Sequence, residues 1–205
     1  MQKIRDFLNN IHRRINLHPN ICTLFEILSV MAIIPLIKTA EPSLFAENGV
    51  VENIQLLVLM SAFLIAVFSS NQRRLFVFFG LMIMLMIMRE TNMFRRYFCE
   101  KYLSPHEMCR WSSFKYGYLA TDGRLIFIVA AIWYFIKNKL WQPLWKYIIK
   151  APIYLWDIII VILMTIGGTV AEFACIDNEI LEEYCELICY IAIANCIWRY
   201  RQIKL

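Results

Sequence analysis

Glu179, Glu182, Glu183 and Glu186 stand at i, i+3, i+4 and i+7 in the stretch DNEILEEYCE, which leads directly into the apolar run LICYIAIANCIW. On a helix that spacing puts all four carboxylates on one face. Like charges so placed repel, and an ionised carboxylate at the centre of a bilayer costs about 2.5–3.5 kcal/mol on insertion scales. The face is therefore expected to look into a helix bundle or a watery vestibule, compensated by cations, hydrogen bonds or protons. Such a surface suits a metal cation or an amine. With a divalent cation bound, Glu182 or Glu186 could instead serve as a general base.

Candidate counter-charges lie in RETNMFRRYF, where Arg89, Asn92 and Arg96 recur at i, i+3 and i+7. A guanidinium matches a carboxylate through paired hydrogen bonds. Glu52 and Gln55 enter another apolar run from the same side, and Glu90 adjoins Arg89. The expected cluster is centred on Arg89, Glu52, Glu182 and Glu186, with Glu90 and Glu183 beside them and Glu182 and Glu186 deepest. Glu47, Gln55, Asn92, Arg96, Asp177 and Glu179 form its polar surround. Glu26 and Asp157 sit near the opposite ends of two further apolar runs, beneath the outer acids. The plainer reading is that these charges are salt bridges and helix-end contacts, since acids interact well with a helix N-terminus.

Other chemistry is thinly represented. No nucleophile elbow, phosphate loop, dinucleotide fingerprint or HExxH is present. Met82, Met86 and Met93 share a helical face, but methionine is a common filler of apolar helices. No cofactor is expected, although the carboxylate cluster admits a divalent cation. Of the seven cysteines, Cys22, Cys185 and Cys196 fall in apolar runs as small apolar residues. Cys99 and Cys109 flank a short outer loop and are the expected disulfide in an oxidising compartment. HEMC, which includes His106, has no zinc spacing.

The elements that must carry these residues are membrane spans. The 205 residues are 60% hydrophobic and 18% charged, against about 45–50% and 25% for soluble domains. Six apolar runs approach the length that crosses about 30 Å of hydrocarbon: 21–37, 50–69, 75–88, 118–136, 153–170 and 180–198. The expected fold is all-α, a single polytopic helical membrane bundle of about six spans. The segments 1–20, 70–74, 137–150 and 199–205 are rich in Lys and Arg and hold one acid, Asp6. The positive-inside rule then puts both termini in the cytoplasm of a bacterial-type inner membrane. The net charge of +5 follows from that orientation and gives no reason to invoke nucleic acid.

Residues 1–20 are expected to lie in the interface as an amphipathic helix, with Ile4, Phe7, Leu8, Ile11 and Ile15 on one face. The 137–150 segment mixes Trp141, Trp145 and Tyr147 with lysines and reads as a second interfacial piece, with Pro143 as a breaker. Residues 39–58 and 169–188 align without gaps, matching Thr39, Asn48, Glu52 and Leu57 to Thr169, Asn178, Glu182 and Leu187. Such a match suggests a parallel repeat relating spans 1–2 to spans 5–6.

Three functions compete. The leading expectation is binding or transport of a cation or amine-bearing solute, without enzymatic chemistry. A membrane-embedded enzyme on lipid headgroups or lipid-linked sugars is the second. A scaffold that docks a membrane protein partner through its polar cluster is the third. The lipid bilayer is a partner in every case.

Overall fold

A computed structural model describes residues 12, 14–41, 44–45, 49–91, 117–173 and 178–203. Glu47, Asn92, Arg96, Asp177, Cys99, Cys109 and Cys175 lie outside the described residues, as does the amphipathic run from Ile4 to Ile11.

The fold is all-helical, with one two-residue ladder among the described residues. Each apolar run falls largely on helix. The first divides into α1 (Ile21–Met31) and α2 (Ile33–Thr39), bent by 55° at Ala32. Pro35 stands in the first turn of α2, where it offers no N–H and its ring crowds the carbonyl four residues back. The remaining runs are α3 (Val50–Val67), α4 (Arg73–Glu90), α5 (Gly117–Lys137), α7 (Leu155–Phe173) and α8 (Glu179–Arg201). Between α5 and α7 lies α6 (Trp141–Lys150). Pro143 does not break this segment: it occupies the first turn of α6, where a backbone N–H would have no helical partner.

The N-terminal expectation needs correction where it can be checked. Ile15 and Asn16 (β1) are extended and pair in parallel with Ile153 and Tyr154 (β2). Arg14 secures the join, donating to the carbonyl oxygens of Ile148 and Ala151, each at 2.6 Å. Contacts more than 130 residues away in sequence thus override the local helical pattern at Ile15.

α8 is the central element, packed against α7, α3 and α1. Its start is capped by Asn178, whose side chain accepts from the Leu181 N–H at 3.0 Å. Its last turn carries Arg199 and Arg201, where cations suit the negative end of the helix dipole. One apolar core joins α3, α4, α6 and α8 around Leu59, Phe76, Leu140 and Tyr190. A second joins α1, α7 and α8 around Ile160, Met164, Ile188 and Ala192. Small residues bring helices close. A Cβ on Gly80 of α4 would meet Val67 at 3.0 Å, and one on Gly167 of α7 would meet the Cys185 sulfur at 3.1 Å.

The perimeter is apolar. Ile21, Met31, Ile34, Leu57, Ile126, Ile132, Ile162 and Ile166 are all exposed, Ile21 by 86% and Leu57 by 68%. The interior, by contrast, holds Thr23, Glu26, Gln55 and Asp157, each at 0% exposure. Among the described residues α3 is long and apolar enough to cross a membrane, and the bent α1–α2 pair meets the same measure as one broken span. α4 and α8 are longer than or equal to α3 but carry charge at their ends: Arg73, Arg74, Arg89 and Glu90 on one, four glutamates and two arginines on the other.

Candidate functional site

Two polar clusters lie along α8, one at each end.

At its N-terminal end the acidic stripe meets α3 and α4. Arg89, in the last turn of α4, pairs with Glu186 and lies 3.9 Å from Glu90. The Tyr190 hydroxyl donates to Glu90 at 2.7 Å. Gln55 of α3 donates its amide to the Glu183 carboxylate at 2.8 Å and to the Glu183 carbonyl at 2.9 Å. The four stripe acids therefore do not act as one surface. Glu183 faces α3, Glu186 lies between α4 and the glycines of α7, and Glu179 is exposed at the rim. Glu182 passes close to α7, its carbonyl 4.0 Å from where a Cβ on Gly168 would stand. Arg89 is brought to the cluster, yet its side chain is 58% exposed, so it sits at the mouth rather than the centre. Tyr190 belongs to the cluster and was not anticipated, because a tyrosine in an apolar run reads as packing.

At the other end the cluster is buried. Asp157, in the first turn of α7, accepts from Thr23 of α1 at 2.5 Å and from Arg199 of α8 at 2.9 Å. Asn195 of α8 donates to Glu26 at 3.1 Å and exchanges hydrogen bonds with Asn20, the N-cap of α1. The Arg199 guanidinium lies 3.6 Å over the Tyr154 ring and donates to the His18 carbonyl oxygen at 3.3 Å. Glu26 and Asp157, read from sequence as separate inner acids, thus belong to one network. The second oxygen of Glu26 is buried with no donor among the described residues. Burying a carboxylate oxygen without a partner is costly. Thr23, Asn195 and Arg199 were missed. The legible signal was spacing: Thr23 and Glu26 at i, i+3, and Asn195 and Arg199 at i, i+4, each pair on one helical face.

Between the clusters the packing is apolar. Glu186 and Asn195 are nine positions apart on α8, about 13.5 Å of helix. That interval is filled by Ile188, Cys189 and Ala192, packed with Ile160 and Met164 of α7. Beside it, an apolar cavity of about 400 Å³ opens among Phe79, Met82 and Met86 of α4, Val161 of α7 and Ile193 and Ile197 of α8.

Among the described residues no three His, Cys, Asp or Glu side chains converge as a metal site. The four described cysteines, Cys22, Cys185, Cys189 and Cys196, are free thiols. Comparison with known proteins returns no matching family, no similar curated protein and no similar solved structure. What fold and site define together is a class: an all-helical bundle, apolar outside, with acids in its interior.

Proposed function

We propose that the protein is a six-span inner-membrane protein, with both termini cytoplasmic, that binds and transports a cation or amine-bearing solute. The observation that carries this reading is the setting of Glu26. It is fully buried, one of its oxygens has no donor among the described residues, and its network with Asp157 contains one guanidinium. Two carboxylates against one arginine leave a deficit of one positive charge, which a proton or a small cation would fill. Inward-facing acids in an apolar-surfaced bundle are the usual mark of an ion or proton path.

The remaining geometry fits a closed state of such a path. The acids around Arg89 would form an entrance at the outer end, with Glu186 one turn further along α8 than Glu182 and Glu90 the less exposed partner of Arg89. The apolar layer at Ile188, Cys189 and Ala192 separates that entrance from Glu26. The exposed apolar perimeter supports six helices in lipid, including those whose charged ends would lie at the headgroups.

The scaffold reading is favoured by one observation: Glu183, Glu186 and Glu90 each have an internal partner. A lipid-directed enzyme with a carboxylate-held metal has no comparable support.

The test is uptake into proteoliposomes of purified full-length protein, with protons, sodium and methylamine as solutes, alongside cation-dependent thermal stabilisation. Uptake that Glu26→Gln abolishes while the unliganded protein still melts cooperatively supports the reading. Glu182→Gln and Glu186→Gln should slow uptake, and Glu179→Gln at the exposed rim should be mild. No uptake of any solute, with no cation shifting the melting temperature, would replace transport by the scaffold.

A further inference from the structure

The basic end of the bundle holds a second feature that the cation reading does not use. A pocket of about 400 Å³ opens between the start of α4 and α6, lined by Gln72, Arg73, Arg74, Asn138, Gln142 and Lys146 among others. We infer that this pocket binds a phosphate group, carried by a lipid headgroup or by a soluble phosphoester.

Charge is the first argument. Arg73, Arg74 and Lys146 line one cavity with no carboxylate in its wall. Four other cations at this end are engaged internally. Arg14 is bound to carbonyls of α6, Arg199 to Asp157, Arg201 stacks on Trp198, and Lys137 lies over Trp133. Arg73, Arg74 and Lys146 make no ion pair among the described residues. Three unneutralised cations around one hollow repel each other, and an anion removes that repulsion.

Backbone geometry is the second argument, independent of the first. Two non-glycine residues among those described have left-handed backbone, Gln72 at φ 46° and Lys139 at φ 50°. Gln72 immediately precedes α4 and Lys139 stands one residue before the N-cap of α6, both helices border the pocket, and such conformations persist where a site holds them. Gln72 is itself the N-cap of α4, and Leu140 is the N-cap of α6. Neither start has a side-chain cap. The Leu75 and Gln142 N–H groups return to the Gln72 and Lys139 carbonyls and Pro143 has none, so the first N–H groups of α4, those of Arg73 and Arg74, are the ones that suit an external acceptor such as phosphate. Arginine then adds paired hydrogen bonds to phosphate oxygens, and lysine adds a point charge. Gln72, Gln142 and Asn138 are neutral amides able to hold a headgroup or ester substituent. The exposed Trp141 and Trp145 on α6 suit the level of lipid headgroups.

The experiment uses full-length protein in uncharged maltoside micelles. Inorganic phosphate and dioctanoyl phosphatidic acid are titrated separately. Sodium chloride at equal ionic strength and dioctanoylglycerol, which lacks the phosphate, are the controls. A phosphate-bearing probe should raise the melting temperature saturably, by about 5 °C at a hundredfold excess over its dissociation constant. Arg74→Gln combined with Lys146→Gln should weaken binding at least tenfold without changing the unliganded melt. Should that pair fail to fold, Gln142→Glu places a carboxylate in the wall and should abolish the shift. A response to inorganic phosphate identifies a soluble phosphoester. A response to phosphatidic acid alone identifies a headgroup. If neither probe exceeds its control, or the variants keep the shift, the inference is overturned.

Discussion

Arg199 on α8 donates to Asp157 on α7 at 2.9 Å, where Asp157 has no exposure and the arginine side chain is 13% exposed. The pair fastens the two most extensively packed helices at the end where Asn20, Thr23 and Asn195 also converge.

Removing either charge should strand the other. Arg199→Met and Asp157→Asn are each expected to cost roughly 3–5 kcal/mol, the range for breaking a buried pair. The double variant should lose less than the sum, because each single loss includes the same Arg199–Asp157 attraction. Denaturant titration of the purified protein in micelles measures the cycle. Additive losses would mean that the two residues act independently.

The glycines of α7 give a second test. A Cβ on Gly168 would stand 3.7 Å from the Cys185 Cβ and 3.8 Å from the Glu186 Cγ. Alanine fills that space in ordinary contact, whereas leucine must push α7 away from the acidic stripe. Gly168→Leu should cost about 1–3 kcal/mol through overpacking. Val170→Leu, on an exposed part of the same helix, should fall within about 0.5 kcal/mol of the parent. Thermal melts of both variants decide, and equal effects would contradict the close packing.

How much of this was legible varies with the range of the forces involved. Hydropathy located the helices because an apolar run of sufficient length is a local signal, and α3 and α8 start within a residue of the expected runs at 50 and 180. The bend at Ala32 was half legible, since Pro35 marks a weak turn without fixing an angle. The extended pair at Ile15 was not legible, because its partner is Ile153. The stripe on α8 illustrates the limit for the site. Spacing correctly places Glu183 and Glu186 a turn apart, but which neighbour each carboxylate meets depends on how α3, α4 and α7 surround α8. The network of Glu26 and Asp157 needed the same tertiary knowledge. Arg199 reads in sequence as one more cytoplasmic cation, and folding turns it inward to Asp157.

Topology is open to direct measurement. With both termini cytoplasmic, reporter fusions after Leu44, Ser104 and Cys175 should show periplasmic activity, and fusions after Arg74 and Lys139 should not. The last two positions bracket the basic pocket between α4 and α6, so they test its side of the membrane as well. A periplasmic signal at Lys139 would invert the arrangement and put the acidic end in the cytoplasm.

Gln55 and Glu183 offer the sharpest test of how the acidic end is held. Gln55 is fully buried on α3, and its amide nitrogen serves both the carboxylate and the carbonyl of Glu183. Its own side-chain oxygen has no donor among the described residues. Gln55→Leu keeps much of the volume but removes the donor, leaving two acceptors of Glu183 without it. That loss should cost about 1–3 kcal/mol, the penalty for an unsatisfied buried polar group, and more if the carboxylate stays charged. Glu183→Gln has the opposite logic. The new amide still accepts from Gln55, brings an N–H able to reach the orphaned Gln55 oxygen, and removes a charge from beside Glu186 and Glu90. It should be neutral or stabilising in a thermal melt, and Gln55→Leu in that background should cost less than in the parent. A strongly destabilised Glu183→Gln would show that the ionised carboxylate itself, rather than the shape and hydrogen bond it provides, holds α3 to α8.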